Sequence, residues 1–157
     1  MKHSTSSGFF LIEVVVAASI IATVLILLLA SIQDSVEASQ RSLERTQASY
    51  LLEEGAEAVK TIRDSGWTSI SGVTNGTTYY LSWNGTTWSL TTTLQTTDIF
   101  TRPIVFSAVS RDTNDDIMTS GGTVADTGTE KVTVNVSWLS QSGTKSESLE
   151  LYIANIR

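Results

Sequence analysis

The hydrophobic residues of this chain are concentrated in one block near its start. Residues 9–32 read FFLIEVVVAASIIATVLILLLASI and hold a single acid and no base. A helix of roughly 20 apolar residues crosses the hydrocarbon of a bilayer, so this block is long enough. A secretory signal has a shorter apolar core and a small-residue cleavage site behind it, and no such site closes this block. The pattern therefore predicts a membrane-spanning helix over 9–32.

Helical signals continue beyond the apolar block. Between Gln33 and Asp64 there is no proline, and Gly55 is the one glycine. Apolar residues recur there at spacings of three, four and seven, which indicates one apolar helix face. The residues of this predicted face are Val36, Leu43, Tyr50, Leu51, Ala56, Val59 and Ile62. We expect an amphipathic helix over 33–64 that covers a sheet and stops near Asp64-Ser65-Gly66.

After Trp67 the pattern changes to the period of two that is typical of strands. Asn84-Gly85 lies between YYLSW and TTWSL, which predicts a β-hairpin with these two residues at the centre of its turn. The predicted register pairs Trp83 with Thr86, Leu81 with Trp88 and Tyr79 with Leu90. An earlier Asn75-Gly76 predicts a second hairpin that places Ile70 beside Leu81.

Three further segments complete the predicted sheet. A strand over 104–110 begins after Pro103, and residues 111–130 are expected to form a long loop. Residues 131–138 and 146–153 alternate cleanly, with a turn at 142–144 between them. The fold class is therefore α+β, with a long N-terminal helix packed on an antiparallel sheet. The predicted division is 9–32, 33–64 and a β head over 65–157, behind a short N-terminal segment at 1–8.

Composition excludes several kinds of chemistry. The chain has no cysteine, which excludes disulfides, thiol catalysis and cysteine-ligated zinc. The net charge of −6 argues against nonspecific nucleic-acid binding. The one histidine is His3, so no Ser–His–Asp site is expected in the folded body. We therefore expect a protein that is not an enzyme and has no nucleic-acid partner.

One acid, Glu13, interrupts the apolar block. A carboxylate inside the hydrocarbon costs roughly 2.5–3.5 kcal/mol on insertion scales, so such residues usually have a partner and a function. Because Glu13 is near one end of the block, its side chain relieves part of that cost by reaching toward the interface. The residue is therefore a candidate functional site.

The residues around Glu13 resemble a known family. Gly8-Phe9-Phe10-Leu11-Ile12-Glu13 followed by an apolar helix is similar to the N-terminal motif of type IV pilins and pseudopilins. The resemblance implies that residues 1–8 are a leader, that a prepilin peptidase cuts between Gly8 and Phe9, and that Phe9 is then N-methylated. It also implies that Glu13 neutralises the N-terminal amine of a neighbouring subunit and sets the stagger between subunits.

The resemblance also implies partners and a location. The partners are the prepilin peptidase, other pilin subunits that bind through the N-terminal helix, and an inner-membrane assembly platform. The chain would span the cytoplasmic membrane once before joining an extracellular filament. Two alternatives stay open. One is a pseudopilin of a type II secretion or DNA-uptake system, in a periplasmic or envelope-spanning fibre. The other is a membrane-anchored binding ectodomain that does not assemble.

A second resemblance lies in the C-terminal half. Four features are similar to the minor pilins called PilV-like. They are Ser110-Arg111-Asp112, Asp126, the VTVNVSW run at 132–138 and Leu151–Asn155. This favours a minor structural subunit of a pilus-like filament.

One segment has the oxygen spacing of a calcium loop. Asp112, Asn114 and Asp116 alternate as in the first half of an EF-hand, but Ile117 replaces the glycine and Thr123 the final glutamate. The EF-hand interpretation therefore fails. A looser calcium site that adds Asp126 stays open beside the simpler interpretation, which is turn chemistry, and no other cofactor is expected.

Overall fold

The computed structural model describes residues 7–118, 121–141 and 143–156. It has an α+β fold in which a long helix packs against a curled antiparallel sheet, as the sequence predicts. The chain divides into two compact units, one up to Glu44 and one from Arg45 onward. The sheet and the helix residues that pack on it belong to the second unit.

Helix α1 runs Ser7–Ser65, within two residues of the predicted limits at each end. No proline interrupts it, and residues 33–64 are rich in the good helix formers Ala, Leu, Glu, Gln and Arg. The many Val and Ile residues of 9–32 are weaker helix formers in water. At its end the amide of Gly66 donates to the carbonyl of Arg63 at 3.0 Å, and the hydroxyl of Ser65 donates to Ile62 at 2.6 Å. These bonds satisfy carbonyls that the last turn would leave unpaired.

The predicted apolar face of α1 is only partly correct. Ala56, Val59 and Ile62 are buried, but Tyr50 is 67% exposed, and Val36 and Leu43 are also exposed. Residues seven apart drift by only about 20° around a helix, whereas five residues separate Leu43 from buried Ala48, which is about 140°. The two sets therefore lie on different sides of α1. The helix residues in the core are Ala48, Leu52, Ala58, Val59 and Ile62.

Over the described residues, eight strands, all paired antiparallel, form the sheet. They are β1 (Thr78–Trp83), β2 (Trp88–Thr91), β3 (Thr96–Thr97), β4 (Phe100–Thr101), β5 (Ile104–Arg111), β6 (Ile117–Met118), β7 (Val124–Ser140) and β8 (Gly143–Ala154). β1 pairs with β2 and β5, and β7 pairs with β5, β4 and β8. β3 pairs with β4, and β6 with β5. Strand β7 is thus the centre of the sheet.

The β1–β2 hairpin forms, but its predicted register is wrong by two residues. Trp83 pairs with Trp88 and Leu81 with Leu90. The amide of Asn84 donates to the carbonyl of Thr87 at 3.3 Å, so Asn84 is the first residue of the turn rather than a central one. Gly85, with φ 95°, takes the first central position, where a two-residue hairpin loop favours glycine. A shift of two residues keeps every side chain on its predicted face.

The second predicted hairpin is wrong. Residues Thr68–Ser71 form a short helix, α2, instead of a strand. The amides of Ile70 and Ser71 both donate to the carbonyl of Trp67 at 2.9 Å, which closes this turn directly behind α1. Ile70 is fully buried all the same, so its apolar character is used by the core without any strand pairing.

The C-terminal strands agree with the alternation, but the predicted loop over 111–130 is too long. β6 lies inside it, and β7 begins at Val124 rather than at Lys131. The β5–β7 register shifts between Ala108, which pairs with Glu130, and Val109, which pairs with Asp126. This irregularity breaks the period of two, so alternation alone does not reveal the first part of β7.

The core lies between α1 and the inner face of the sheet. Val132, Val134 and Val136 on β7 are fully buried, and Trp138 is 4% exposed. Phe106 on β5 is also fully buried and meets the ring of Tyr79 edge-on, with centroids 5.9 Å apart. Arg102 fixes the helix to the sheet, because it donates to the carbonyl of Leu51 at 3.0 Å and to Glu54 at 2.7 Å.

Gly55 marks the closest approach of α1 to the sheet. A Cβ at this position would lie 2.8 Å from Cγ1 of Val134 and 3.2 Å from Cδ of Arg102. Alanine favours a helix interior over glycine by about 1 kcal/mol, but overpacking costs about 1–3 kcal/mol. We expect Gly55→Ala to lower the free energy of unfolding by up to about 2 kcal/mol, measured by thermal unfolding in detergent.

Two variants test the cause of that loss. Ser49→Ala raises helix propensity at an exposed position of α1 and should leave the melting temperature unchanged or slightly higher. In the double variant Gly55→Ala/Val134→Ala the loss should be smaller than the sum of the single losses, because the clashing methyl groups are removed. An additive double variant, or a more stable Gly55→Ala, would contradict close packing at Gly55.

Candidate functional site

Residues 10–32 of α1 form an apolar surface that nothing in the described chain covers. Phe10 is 69% exposed and Leu29 62% exposed, and all the described positions between them are exposed too. Within the described residues this is the one helix long and apolar enough to cross a membrane. Burying one Val, Leu, Ile or Phe side chain is worth about 1.5–3 kcal/mol, so leaving this surface in water is strongly unfavourable. The segment therefore needs lipid or other protein around it.

Glu13 is the acid within this surface. It lies in the first turns of α1, one helical turn after Phe9, and it is exposed. In the described part of the chain no hydrogen bond or ion pair engages its carboxylate. Gly8 and Phe9, the predicted cleavage site, are the second and third residues of α1, and residues 1–6 of the predicted leader lie outside the described residues. The structure thus places Glu13 on an otherwise apolar helix surface.

Two hydroxyls of the apolar segment, those of Ser19 and Thr23, donate to carbonyls of the same helix. Ser19 donates to the carbonyl of Val16 and Thr23 to the carbonyl of Ser19, both at 2.8 Å. Ser19, Ile20, Thr23 and Val24 line a shallow depression on the helix. Because the hydroxyls of Ser19 and Thr23 already donate within the helix, these two residues do not raise the cost of lipid contact. Their small size also permits another helix to approach closely.

A further feature, which the sequence interpretation missed, extends the apolar surface past residue 32. Val36 and Leu43 follow Ala22 and Leu29 at intervals of seven, and all four are exposed. Together with Leu25 and Ile32 they form one narrow stripe, here called the apolar seam, which contains Ala22, Leu25, Leu29, Ile32, Val36 and Leu43. Intervals of seven, joined by three and four, are the spacing of a helix that packs along another helix.

Charged residues avoid the apolar seam. The charged residues between Ala22 and Glu44 are Asp34, Glu37, Arg41 and Glu44. Measured around the helix from Val36, each is displaced by about 80–160°, whereas Ser39 and Gln40 beside the seam are uncharged. Glu37 and Arg41 form an ion pair along α1. An identical helix could therefore approach the seam without meeting a like charge.

The calcium candidates occupy a turn and a neighbouring ion pair. Oδ1 of Asp112 accepts the amides of Asn114 at 2.8 Å and Asp116 at 3.0 Å. These backbone bonds hold the pKa of Asp112 below its usual value. The three residues thus form one Asx-type turn, in which an oxygen of the first residue already serves the backbone.

Asp126 is engaged separately. Nε of Arg111 donates to its Oδ2 at 2.7 Å, and the amide of Gly128 donates to its Oδ1 at 2.9 Å. The bond from Arg111 is the main reason that the pKa of Asp126 is lowered, and the same bond raises the pKa of Arg111. Over residues 7–118, 121–141 and 143–156 there is no cluster of three or more acidic or histidine side chains that could hold a metal ion.

Glu130 is a polar group that the sequence interpretation overlooked. It has the same parity on β7 as Val132 and Val134, and it pairs with Ile153 of β8. Its Oε2 is buried and has no hydrogen-bond partner in the described chain. Burial raises the pKa of Glu130, and the charge of Asp126 raises it further. The alternation of inward and outward side chains on β7, extended from Val132 toward the start of the strand, is the sequence signal that indicates an inward position for Glu130.

The two carboxyls predict opposite pH dependences. Asp126 has a lowered pKa, so it stabilises the fold above its unfolded pKa, and that contribution is lost as pH falls. Glu130 has a raised pKa, so the fold is most favoured while Glu130 is protonated, and stability is lost as pH rises through its folded pKa. We expect Glu130→Gln to raise the melting temperature at pH 7 and to have little effect below the unfolded pKa of the carboxyl.

Glu53→Gln is the matched control for this prediction. Glu53 is an exposed acidic residue on α1, and its replacement should not raise the melting temperature at pH 7 as Glu130→Gln does. If Glu130→Gln behaved like Glu53→Gln, the carboxylate of Glu130 would be adequately solvated and burial would not be the cause.

Similarity to known proteins does not identify the chain. No protein-family model, no curated protein and no solved structure matches it. The observations that bear on function are therefore the motif at Gly8–Glu13, the uncovered apolar helix with its seam, and the polar β head.

Proposed function

We propose that this chain is a structural subunit of a type IV pilus-like filament, of the minor-pilin kind. A prepilin peptidase would cut between Gly8 and Phe9, and the mature chain would assemble through its N-terminal helix. The observation that carries the proposal is the position of Glu13. It is the one acid on a long uncovered apolar helix, one turn after the glycine and phenylalanine of the cleavage motif.

Charge pairing explains why an acid is kept at this position. After cleavage, Phe9 carries an N-terminal ammonium group at the start of an apolar helix. Two separate charges in an apolar bundle are costly, but an opposite pair in low dielectric attracts strongly and offsets much of the desolvation. If Glu13 of one subunit meets the amine of the next, the pair also fixes the axial register of the two helices, as buried polar groups do in coiled coils.

The uncovered apolar surface supports a helix that first lies in lipid and later packs against other helices. A helix long and apolar enough to cross a membrane is present, and we propose that it spans the cytoplasmic membrane before assembly. Its apolar residues would then pass from lipid into contact with neighbouring helices. Because the apolar seam continues to Leu43, packing between copies would extend beyond the segment that lipid covers.

The β head has its own core on α1, so it can lie in water outside the membrane. Its placement outside the cytoplasm is what the pilin resemblance implies. A pseudopilin of a secretion or DNA-uptake fibre would use the same helix chemistry. A membrane-anchored ectodomain that never assembles would need neither the cleavage motif nor Glu13.

The mature N-terminus is the first test. Purified from a cell that contains a prepilin peptidase, the chain should begin at an N-methylated Phe9, as intact-mass and peptide mass spectrometry would show. Gly8→Val should leave the chain uncut, because a bulky residue replaces the glycine at the cleavage position, while Ser6→Ala should be cut normally. Recovery of an uncut chain beginning at Met1, or of one cut after residue 30, would exclude the proposal.

The second test is assembly of Glu13→Ala. Removing one partner of a buried pair costs several kcal/mol, and each 1.4 kcal/mol is tenfold, so incorporation into filaments should fall by at least about tenfold. Membrane insertion and cleavage should persist, since the substitution makes the helix more apolar. Val14→Ala shortens an apolar side chain at the adjacent position and serves as control.

The readout is the ratio of filament-bound to membrane-bound chain, measured by immunoblotting sheared filaments and membranes. Equal ratios for Glu13→Ala and the unchanged protein would show that Glu13 does not set the register. Equal losses for Glu13→Ala and Val14→Ala would point to helix packing in place of charge pairing.

A further inference from the structure

The turn of the β1–β2 hairpin holds an Asn-Gly pair whose asparagine side chain makes three hydrogen bonds. Oδ1 of Asn84 accepts the amide of Thr86 at 3.0 Å and the amide of Thr87 at 2.9 Å. Nδ2 of Asn84 donates to the hydroxyl of Thr87 at 3.0 Å. The side chain therefore curls forward over Gly85, and its amide carbonyl points at two backbone donors.

We propose that Asn84 is a site of self-modification, in which its side chain deamidates through a cyclic imide formed with the backbone nitrogen of Gly85. The reaction needs no enzyme and no reactant other than water. It would convert position 84 into a mixture of aspartate and isoaspartate in the folded head.

The chemistry balances as follows. The amide nitrogen of Gly85 loses its proton to solvent base and attacks Cγ of Asn84, forming a new N–C bond. The bond between Cγ and Nδ2 breaks, and Nδ2 leaves as ammonia after taking up a proton. Water then adds to one of the two imide carbonyls. Opening at one bond restores the normal backbone with an aspartate, and opening at the other gives isoaspartate.

The two donors favour the attack. When the nitrogen of Gly85 adds to Cγ, negative charge develops on Oδ1, which is the atom that Thr86 and Thr87 already contact. Hydrogen-bond donors placed where charge develops lower a barrier, as in the oxyanion holes of acyl-transfer enzymes. Gly85 has no side chain to hinder the approach of its nitrogen to Cγ of Asn84.

The other Asn-Gly pair of the chain is a matched comparison. The amide of Gly76, which would be the nucleophile for Asn75, donates to the carbonyl of Phe106 at 2.9 Å. This bond stabilises the protonated nitrogen and holds it toward β5. The side-chain oxygen of Asn75 has no hydrogen-bond donor among the described residues. The fold thus favours reaction at Asn84 and opposes it at Asn75, although the two local sequences are alike, Asn-Gly-Thr in each case.

Conversion would alter the hairpin tip. The aspartate product carries a negative charge and lacks the amide donor that contacts the Thr87 hydroxyl. The isoaspartate product adds a backbone atom to the turn, next to the Trp83–Trp88 pair, whose rings lie 5.1 Å apart. The tip of the head would therefore change its charge and its turn geometry with the age of the molecule.

The test compares the two asparagines in the folded and unfolded full-length chain. The protein is kept in detergent at mildly alkaline pH, with and without concentrated urea. Samples taken over time are digested with chymotrypsin, which cuts at Tyr79 and Tyr80 and so separates the two sites. Mass spectrometry measures the deamidated fraction at each site, and protein isoaspartate methyltransferase labelling identifies isoaspartate.

The expected result is an opposite effect of folding at the two sites. Asn84 should deamidate faster in the folded chain than in urea, and Asn75 should deamidate more slowly in the folded chain than in urea. The proposal is overturned if folding slows Asn84, or if both sites react equally in the folded chain. Circular dichroism of the detergent sample verifies that the head is folded at the start.

Discussion

The rest of the molecule depends on the exclusion of one apolar helix surface from water. Residues 10–32 of α1 expose nearly all their side chains, and no part of the described chain folds back to cover them. From Ala48 onward the same helix buries its apolar residues against the sheet. One element therefore meets two requirements, since its second half completes a core within the chain and its first half needs surroundings from outside.

Alternation along the strands was sufficient to predict the centre of the sheet. Val132, Val134 and Val136 face inward as expected, because a period of two leaves one choice of face once a core exists. The register of the β1–β2 hairpin is harder to predict from the sequence. Asn-Gly fits the centre of a turn, but Asn84 also caps a turn that begins with it, and those side-chain bonds with Thr86 and Thr87 prevail. The side chains of the hairpin still lie on their predicted faces, because the register shift is an even number of residues.

Two other wrong predictions have a common cause. A local sequence pattern does not show which surface of an element is covered by the rest of the fold. Ile70 is apolar enough for a strand, yet the chain turns directly behind α1 and buries it from a short helix. Val36, Leu43 and buried Val59 all fit a broad apolar face, yet the sheet covers only the part centred on Ala48 and Leu52. The residues around Glu13 are contiguous, so their pattern is visible in the sequence, whereas the apolar seam becomes visible only when the covered face of α1 is known.

The side chains in the first half of α1 differ in what they need from their surroundings. The hydroxyls of Ser19 and Thr23 donate to the carbonyls of Val16 and Ser19 within the helix. The apolar side chains contact lipid or another apolar helix equally well. Glu13 is the exception, because lipid offers its carboxylate no partner. Under the proposed assembly, the apolar residues would permit the transfer from membrane to filament without strongly favouring it. The charge pair would supply a preference that lipid cannot match, and it would do so at one register only.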